Sequence, residues 1–254
     1  MIYSWQVVNV GNLAEHISRP TDYFSDFKAE VLDWQCEYEE LLKGPVIFGA
    51  TGLLFPGLDA RLKYASENSK HPLIAWGIGH NTHFGDRIEY PEWLSKFSAV
   101  GVRDWGTPYC YVPCPSCMNS VIGAAVERDA SPTVPMVIYE HMDFPVRIEA
   151  DLPRMNNQHE VQELGKVVDF LASAKVIVTS SYHGAYWGFL LNRRVLVWEP
   201  WSTKFWTFKP KTLFVDKENW RLASTVPQDN TGYYEDCITR NRQFAAKVRA
   251  ILGV

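Results

Sequence analysis

Short apolar runs recur along the chain: PVIFG (45–49), LIAWG (73–77), AVGVR (99–103), PMVIY (135–139), KVIVT (175–179) and RVLVW (194–198). Runs this short and this continuous read as buried strands. Residues 2–8 read as another strand, and 111–113 as a further one. Helical spacing separates them, over residues 24–42, 58–66, 159–173 and 184–191, with a closing helix from about Tyr233 to Leu252. Strands alternating with helices predict βα units and a largely parallel sheet. The pattern restarts after a break at 120–132, which ends on the turn-like Ala130-Ser131-Pro132-Thr133. The economical organisation is an α/β protein of two Rossmann-like domains, residues 1–125 and 126–254, with a cleft between them. A single larger sheet is the alternative.

Composition narrows the function classes. With 254 residues and 46% of them hydrophobic, the chain can bury a sizeable core. Ten tryptophans suit either aromatic-lined clefts or a large core. The net charge of −4 is unevenly spread, because from Lys175 onward 12 Lys/Arg face 6 Asp/Glu. A basic C-terminal half suits a small anionic ligand. It lacks the dense basic face of a dedicated nucleic-acid binder. The start, MIYSWQVVNV, has neither the basic region nor the long apolar region of an export signal. No apolar stretch approaches the length of a membrane span. With five cysteines, an odd number, these features predict a reduced, cytoplasmic protein.

The most chemically loaded junction is Ser180-Ser181-Tyr182-His183-Gly184, between strand KVIVT and the helix after it. In a parallel sheet this junction lies at the carboxyl edge, where ligands bind. The first turn of the helix offers unpaired N–H groups to a phosphate or carboxylate. Ser180 and Ser181 add hydroxyls, His183 a general acid or base, and Gly184 close access to the backbone. The alternative is an ordinary serine cap and a packed histidine. Lys204, in a loop leaving the same edge, can neutralise a phosphate.

Other strand ends carry candidates. Asn9-Val10-Gly11-Asn12 follows the first strand and suggests a binding loop without naming a ligand. GIGHNTHFGD (77–86) offers His80, His83 and Asp86, which fit a substrate loop better than a metal site. Arg103-Asp104 ends another strand, and Arg103 there can grip a carboxylate or phosphate. Cys110, Cys114 and Cys117 have the spacing of a cluster-binding motif but lack its barrel setting. A buried turn is the simpler reading.

In this order the motifs resemble those of the polysaccharide pyruvyl transferases. That family carries an Asn-x-Gly-Asp turn, like Asn9-Val10-Gly11-Asn12, and a Ser-Ser-x-His-Gly turn, like residues 180–184. It also carries a Lys-Phe loop like Lys204-Phe205, an Arg-Asp pair like Arg103-Asp104, a Gly-Cys-Pro-Ser turn like Pro113-Cys114-Pro115-Ser116, and a histidine like His141. Asn12 stands where many members have Asp, and Ser181 where many have Arg. The resemblance implies a GT-B-like fold and transfer of a pyruvyl group from phosphoenolpyruvate to a sugar, as a ketal, with no cofactor or metal. It assigns catalysis to His183 and Arg103. Donor binding falls to Ser180, Ser181, Gly184, Lys204 and His141, and acceptor binding to Asn9, Gly11, Asn12 and His80. The implied partners are a small-molecule donor and a carbohydrate acceptor, with nucleic acid the less favoured acceptor. A lipid-linked acceptor would place the protein at a membrane surface. Two other readings stay open: a glycosyltransferase using a nucleotide sugar, and a non-catalytic binding protein on the same scaffold.

Overall fold

The computed structural model describes residues 1–6, 17–55, 57–85, 87–158 and 163–254. Six strands form one sheet: β1 (Ile2–Gln6), β2 (Ala29–Asp33), β3 (Val46–Phe48), β4 (Leu73–Ile78), β5 (Ala99–Val102) and β6 (Cys110–Tyr111), in the order β2-β1-β3-β4-β5-β6. Five form a second: β7 (Val134–Glu140), β8 (Arg154–Asn156), β9 (Ala174–Thr179), β10 (Arg194–Trp198) and β11 (Leu213–Val215), in the order β11-β10-β9-β7-β8. Every pairing is parallel. Among the described residues the α-helices are α1 (Asp59–Asn68), α2 (Ser120–Arg128), α3 (Leu164–Ala172), α4 (Tyr182–Leu190), α5 (Trp220–Ala223) and α6 (Tyr233–Leu252). Two separate sheets, rather than one large one, are consistent with two Rossmann-like units.

The apolar runs became strands because their side chains are covered on both faces. Strands β3 and β4 are buried at every position. One region departs from expectation. Residues 24–42, predicted as a helix, instead hold strand β2 and a 3-10 turn, Tyr38–Leu42. Strand β2 lies at the sheet edge and buries only Leu32, so its AEVLD sequence carries little strand periodicity. The break expected at 120–132 is partly helical. Asn119 caps α2 by accepting from the Val121 amide at 2.9 Å. Ile122 and Ala125 then pack in one cluster with Val137, Val167 and Leu171, on the second sheet.

Helix α6 links the two layers. At its start, Tyr233 and Cys237 sit in the second sheet's core. Further along, Phe244, Ala245 and Val248 cover Ile2, Ile74 and Trp76 of the first sheet. Between these ends Asn241 is fully buried. Its Oδ1 accepts from the Trp76 indole at 2.9 Å, and its Nδ2 donates to the carbonyls of Pro113 and Cys237, each at 3.1 Å. No helix among the described residues is long and apolar enough to cross a membrane.

Candidate functional site

The carboxyl edges of the two sheets face each other. The loop after β10 is stitched to the loops after β4 and β5. Ser202 Oγ donates to Asn81 Oδ1 (2.8 Å), the Thr203 amide to Thr82 O (3.0 Å), and the Phe84 amide to Trp201 O (2.8 Å). Asp104 braces the same seam, accepting from the His80 amide (2.8 Å), Tyr90 Oη (2.7 Å) and Thr207 Oγ1 (2.8 Å).

Inside the seam lies a cavity of ≈ 70 Å³, lined by Thr51, Gly52, Asn81, Arg103, His141, Asn157, Ser181, Tyr182, His183 and Lys204. Each of these residues follows the end of a strand, which is why two open parallel sheets create the site. The space holds roughly five water molecules. Arg103 and Lys204 are 5% and 8% exposed, and no Asp or Glu lines the cavity among the described residues. The Arg103 guanidinium lies 4.0 Å over the Tyr182 ring, and the Lys204 ammonium 3.8 Å over Trp201. Arg103 forms no ion pair among the described residues, and its Nε–H is buried without a partner there. Gly79 makes room for it, since a Cβ at that position would meet Arg103 Nε at 2.5 Å.

Ser181 caps α4, accepting from the Gly184 amide at 3.4 Å. That leaves the amides of Tyr182 and His183 without intrahelical partners, at the positive end of the helix. His183 Nε2 lies 3.4 Å from Cys114 Sγ. Burial, with the charges of Arg103 and Lys204 beside it, holds the His183 imidazolium well below the usual histidine range. Burial, Lys204 and His83 push His141 down to about 3. Both rings are therefore neutral at pH 7, and the cavity's positive charge rests on Arg103 and Lys204.

Neutral buried histidines have a consequence for stability. Unfolded, each regains a pKa near 6.5, so the unfolded chain takes up protons that the folded chain refuses. Their contribution is complete above about pH 6.5 and is lost as pH falls, at up to about 1.4 kcal/mol per pH unit for each ring. For His141 the loss continues down to its folded value of about 3. Urea midpoints are expected to fall between pH 7 and pH 5, and His141→Asn to flatten that slope. An unchanged slope in the variant would contradict this account.

The structure gathers Arg103, His141, Ser181, His183 and Lys204 around one cavity. Other expected residues lie elsewhere. The Ser180 hydroxyl donates to Phe144 O and accepts from the His141 amide, so it fixes the loop after β7. Gly184 faces the sheet, where a Cβ would meet Tyr139 Cδ1 at 2.4 Å and Thr179 Oγ1 at 2.5 Å. It serves helix–strand packing rather than ligand approach. His80 is held at both ring nitrogens, by Thr203 Oγ1 at 2.8 Å and the Glu89 amide at 3.4 Å. It borders a separate cavity with Glu89, Tyr90 and Glu92. Asn9, Gly11, Asn12 and Asp86 lie outside the described residues. Asn81 and Asn157, which the sequence analysis did not single out, line the cavity. Their signal was position alone, just beyond β4 and β8. Cys114 and Cys117 are buried around a 3-10 turn, and all five cysteines are free thiols. Among the described residues no group of three or more His, Cys, Asp or Glu is placed to hold a metal ion.

No family model matches the chain, and no curated protein matches it significantly. Among solved structures it is similar to an uncharacterized protein from Klebsiella pneumoniae subsp. pneumoniae, with 15% identity and a TM-score of 0.46. That match covers 84% of this chain and 92% of the other.

Proposed function

We propose that the protein is a transferase of the pyruvyl transferase type, binding phosphoenolpyruvate in the cavity between the sheets and passing its pyruvyl group to a sugar. One observation carries the reading: the buried Arg103, which forms no ion pair among the described residues, stands with Lys204 at a small cavity whose described lining holds no carboxylate. Burying a charge without a counter-charge is costly, so Arg103 is best explained by an anionic ligand that supplies one. Phosphoenolpyruvate has two anionic groups on a three-carbon frame. The small cavity favours such a compact anion over a nucleotide sugar. In this reading Lys204 and the first-turn amides of α4 hold the phosphate, and Arg103 the carboxylate.

The chemistry follows from that placement. A proton reaches the methylene carbon, the C2 cation accepts one acceptor hydroxyl, and the C2–O bond to phosphate breaks. A second hydroxyl then closes the ketal. Two C–O bonds form, phosphate departs, and the two hydroxyl protons balance the one taken by carbon and the one carried by phosphate. In this reading His183 delivers or receives these protons. The donor's negative charge offsets that of Arg103 and Lys204, raising the pKa of His183 toward the working range.

Thermal-shift titration separates this reading from its rival, because a ligand stabilises the protein it binds. Phosphoenolpyruvate is expected to raise the Tm, and nucleotide diphosphate sugars to leave it unchanged. Incubation with phosphoenolpyruvate and a panel of glycans is expected to release phosphate. If phosphoenolpyruvate neither binds nor is consumed, the assignment fails. A shift by a nucleotide sugar alone would point instead to glycosyl transfer.

A further inference from the structure

Beside the cationic cavity lies a second one of ≈ 480 Å³, lined by Phe84, Asp143, Phe144, Pro145, Arg147, Ser180, Trp198, Glu199, Pro200 and Trp201. Its size is that of a small-ligand site, and its chemistry differs from its neighbour's. Phe144 and Trp201 stack at 3.9 Å between centroids. Lys204, which lines the cationic cavity, also lies over the Trp201 ring, at 3.8 Å. Trp201 thus lines this cavity and touches the Lys204 of the other. Phe84 is 80% exposed and stands edge-on to Phe144 at 6.2 Å, leaving an open aromatic face.

Two residues here hold unusual backbone. Phe84 has φ +51° and Glu199 φ +33°, where bulky side chains are rarely found. The Phe84 conformation is fixed by its amide bond to Trp201 O at 2.8 Å, and the Glu199 amide is tied to Val215 O at 2.8 Å. Such strain persists where surrounding structure imposes it, and it gathers at ligand sites. The Glu199 carboxylate has no hydrogen bond or ion pair among the described residues. The Asp143 carboxylate is 66% exposed and lies 3.7 Å from the neutral His141 ring, whose Nδ1 accepts from the Asp143 amide at 3.2 Å. In the same wall the buried Trp198 indole N–H has no partner among the described residues.

We infer that this second cavity is the subsite for the acceptor's sugar ring. The inference rests on the transfer reading for the word acceptor, and on the cavity's own chemistry for the word sugar. A pyranose has an apolar C–H face and a rim of hydroxyl donors. The Phe84 ring offers the face a platform, and Glu199 and Asp143 offer the rim two acceptors. These two carboxylates outnumber the one cation in the described lining, Arg147, which disfavours a phosphate in this place. The location also fits, because Ser180 borders this cavity and Ser181 the cationic one. A sugar here lies next to the donor site across Trp201. The acceptor side therefore lies mainly on the second sheet, with Phe84 its contribution from the first, and not around His80.

The probes are methyl β-D-galactopyranoside, methyl β-D-glucopyranoside and methyl α-D-mannopyranoside, tested without donor on the full chain by saturation-transfer NMR. At least one is expected to bind at millimolar concentration. Phe84→Ala and Glu199→Gln are each expected to weaken it about tenfold, or 1.4 kcal/mol, while the thermal shift given by phosphoenolpyruvate stays unchanged. Phe84 is exposed, so its loss leaves the core intact. The inference is overturned if no hexoside binds, if binding survives both substitutions, or if uridine monophosphate competes with the hexoside. Hexoside binding that both variants lose, in a protein that ignores phosphoenolpyruvate, supports the sugar site and removes only the donor assignment.

Discussion

Arg103→Met is expected to abolish phosphoenolpyruvate binding while leaving the folded protein at least as stable as the parent. The two halves of this result share one cause. Arg103 is 5% exposed and forms no ion pair among the described residues. Its charge is therefore a cost to the empty fold and a gain only when an anion arrives. Removing a buried partner of a charged contact costs about 2–5 kcal/mol of binding, a loss of roughly 30-fold to several thousandfold in affinity. Methionine keeps apolar packing against Tyr182, losing the cation–π contact but also the repulsion from Lys204. Each kcal/mol relieved would raise the Tm by about 2–4 °C in a chain this long. Calorimetric titration with phosphoenolpyruvate and inorganic phosphate, beside a thermal melt, reads both halves. A variant that binds phosphoenolpyruvate like the parent would remove Arg103 from the site. One that unfolds would make it a structural arginine.

The second large effect concerns Asn241. Asn241→Leu strands the Trp76 indole N–H and the Pro113 carbonyl, which the amide joins at 2.9 and 3.1 Å. Each buried polar group left without a partner costs about 1–3 kcal/mol. A total loss of about 2–6 kcal/mol is expected in urea denaturation. The loss should fall on both layers together, since Trp76 belongs to the first sheet and Cys237, one turn back on α6, packs with the second. A cost below about 1 kcal/mol would mean that water replaces the amide.

What the sequence revealed, and what it concealed, follows burial. Strands β3, β4, β7, β9 and β10 could be read because continuous apolar runs have few uses other than a covered strand. The edge strands β2, β8 and β11 could not. Each is three to five residues long and largely uncovered, so nothing forces an apolar pattern on it. At the site, the location of residues 180–184 was legible from strand-turn-helix logic alone. The division of labour within them was not. Ser180 and Gly184 look as reactive in sequence as Ser181 and His183, yet Phe144 and His141 occupy the one and Tyr139 and Thr179 crowd the other. These partners lie 36 to 45 positions away in the chain, except Thr179, which is five before Gly184. The distribution of charge could be read as a basic half. That Arg103 and Lys204, from different sheets, would share a cavity depends on how the two edges face, which no local pattern records.

The path of α6 has a bearing on how the molecule is made. The first sheet is complete once Tyr111 has been synthesised, but one of its faces is covered by Phe244, Ala245 and Val248. A ribosome delivers those residues after the entire second sheet. Until then Ile2, Ile74 and Trp76 wait with part of their cover missing, and an exposed apolar face invites association with other nascent chains. The early half is thus finished by the last helix, and chaperone demand should be greatest in the interval between them.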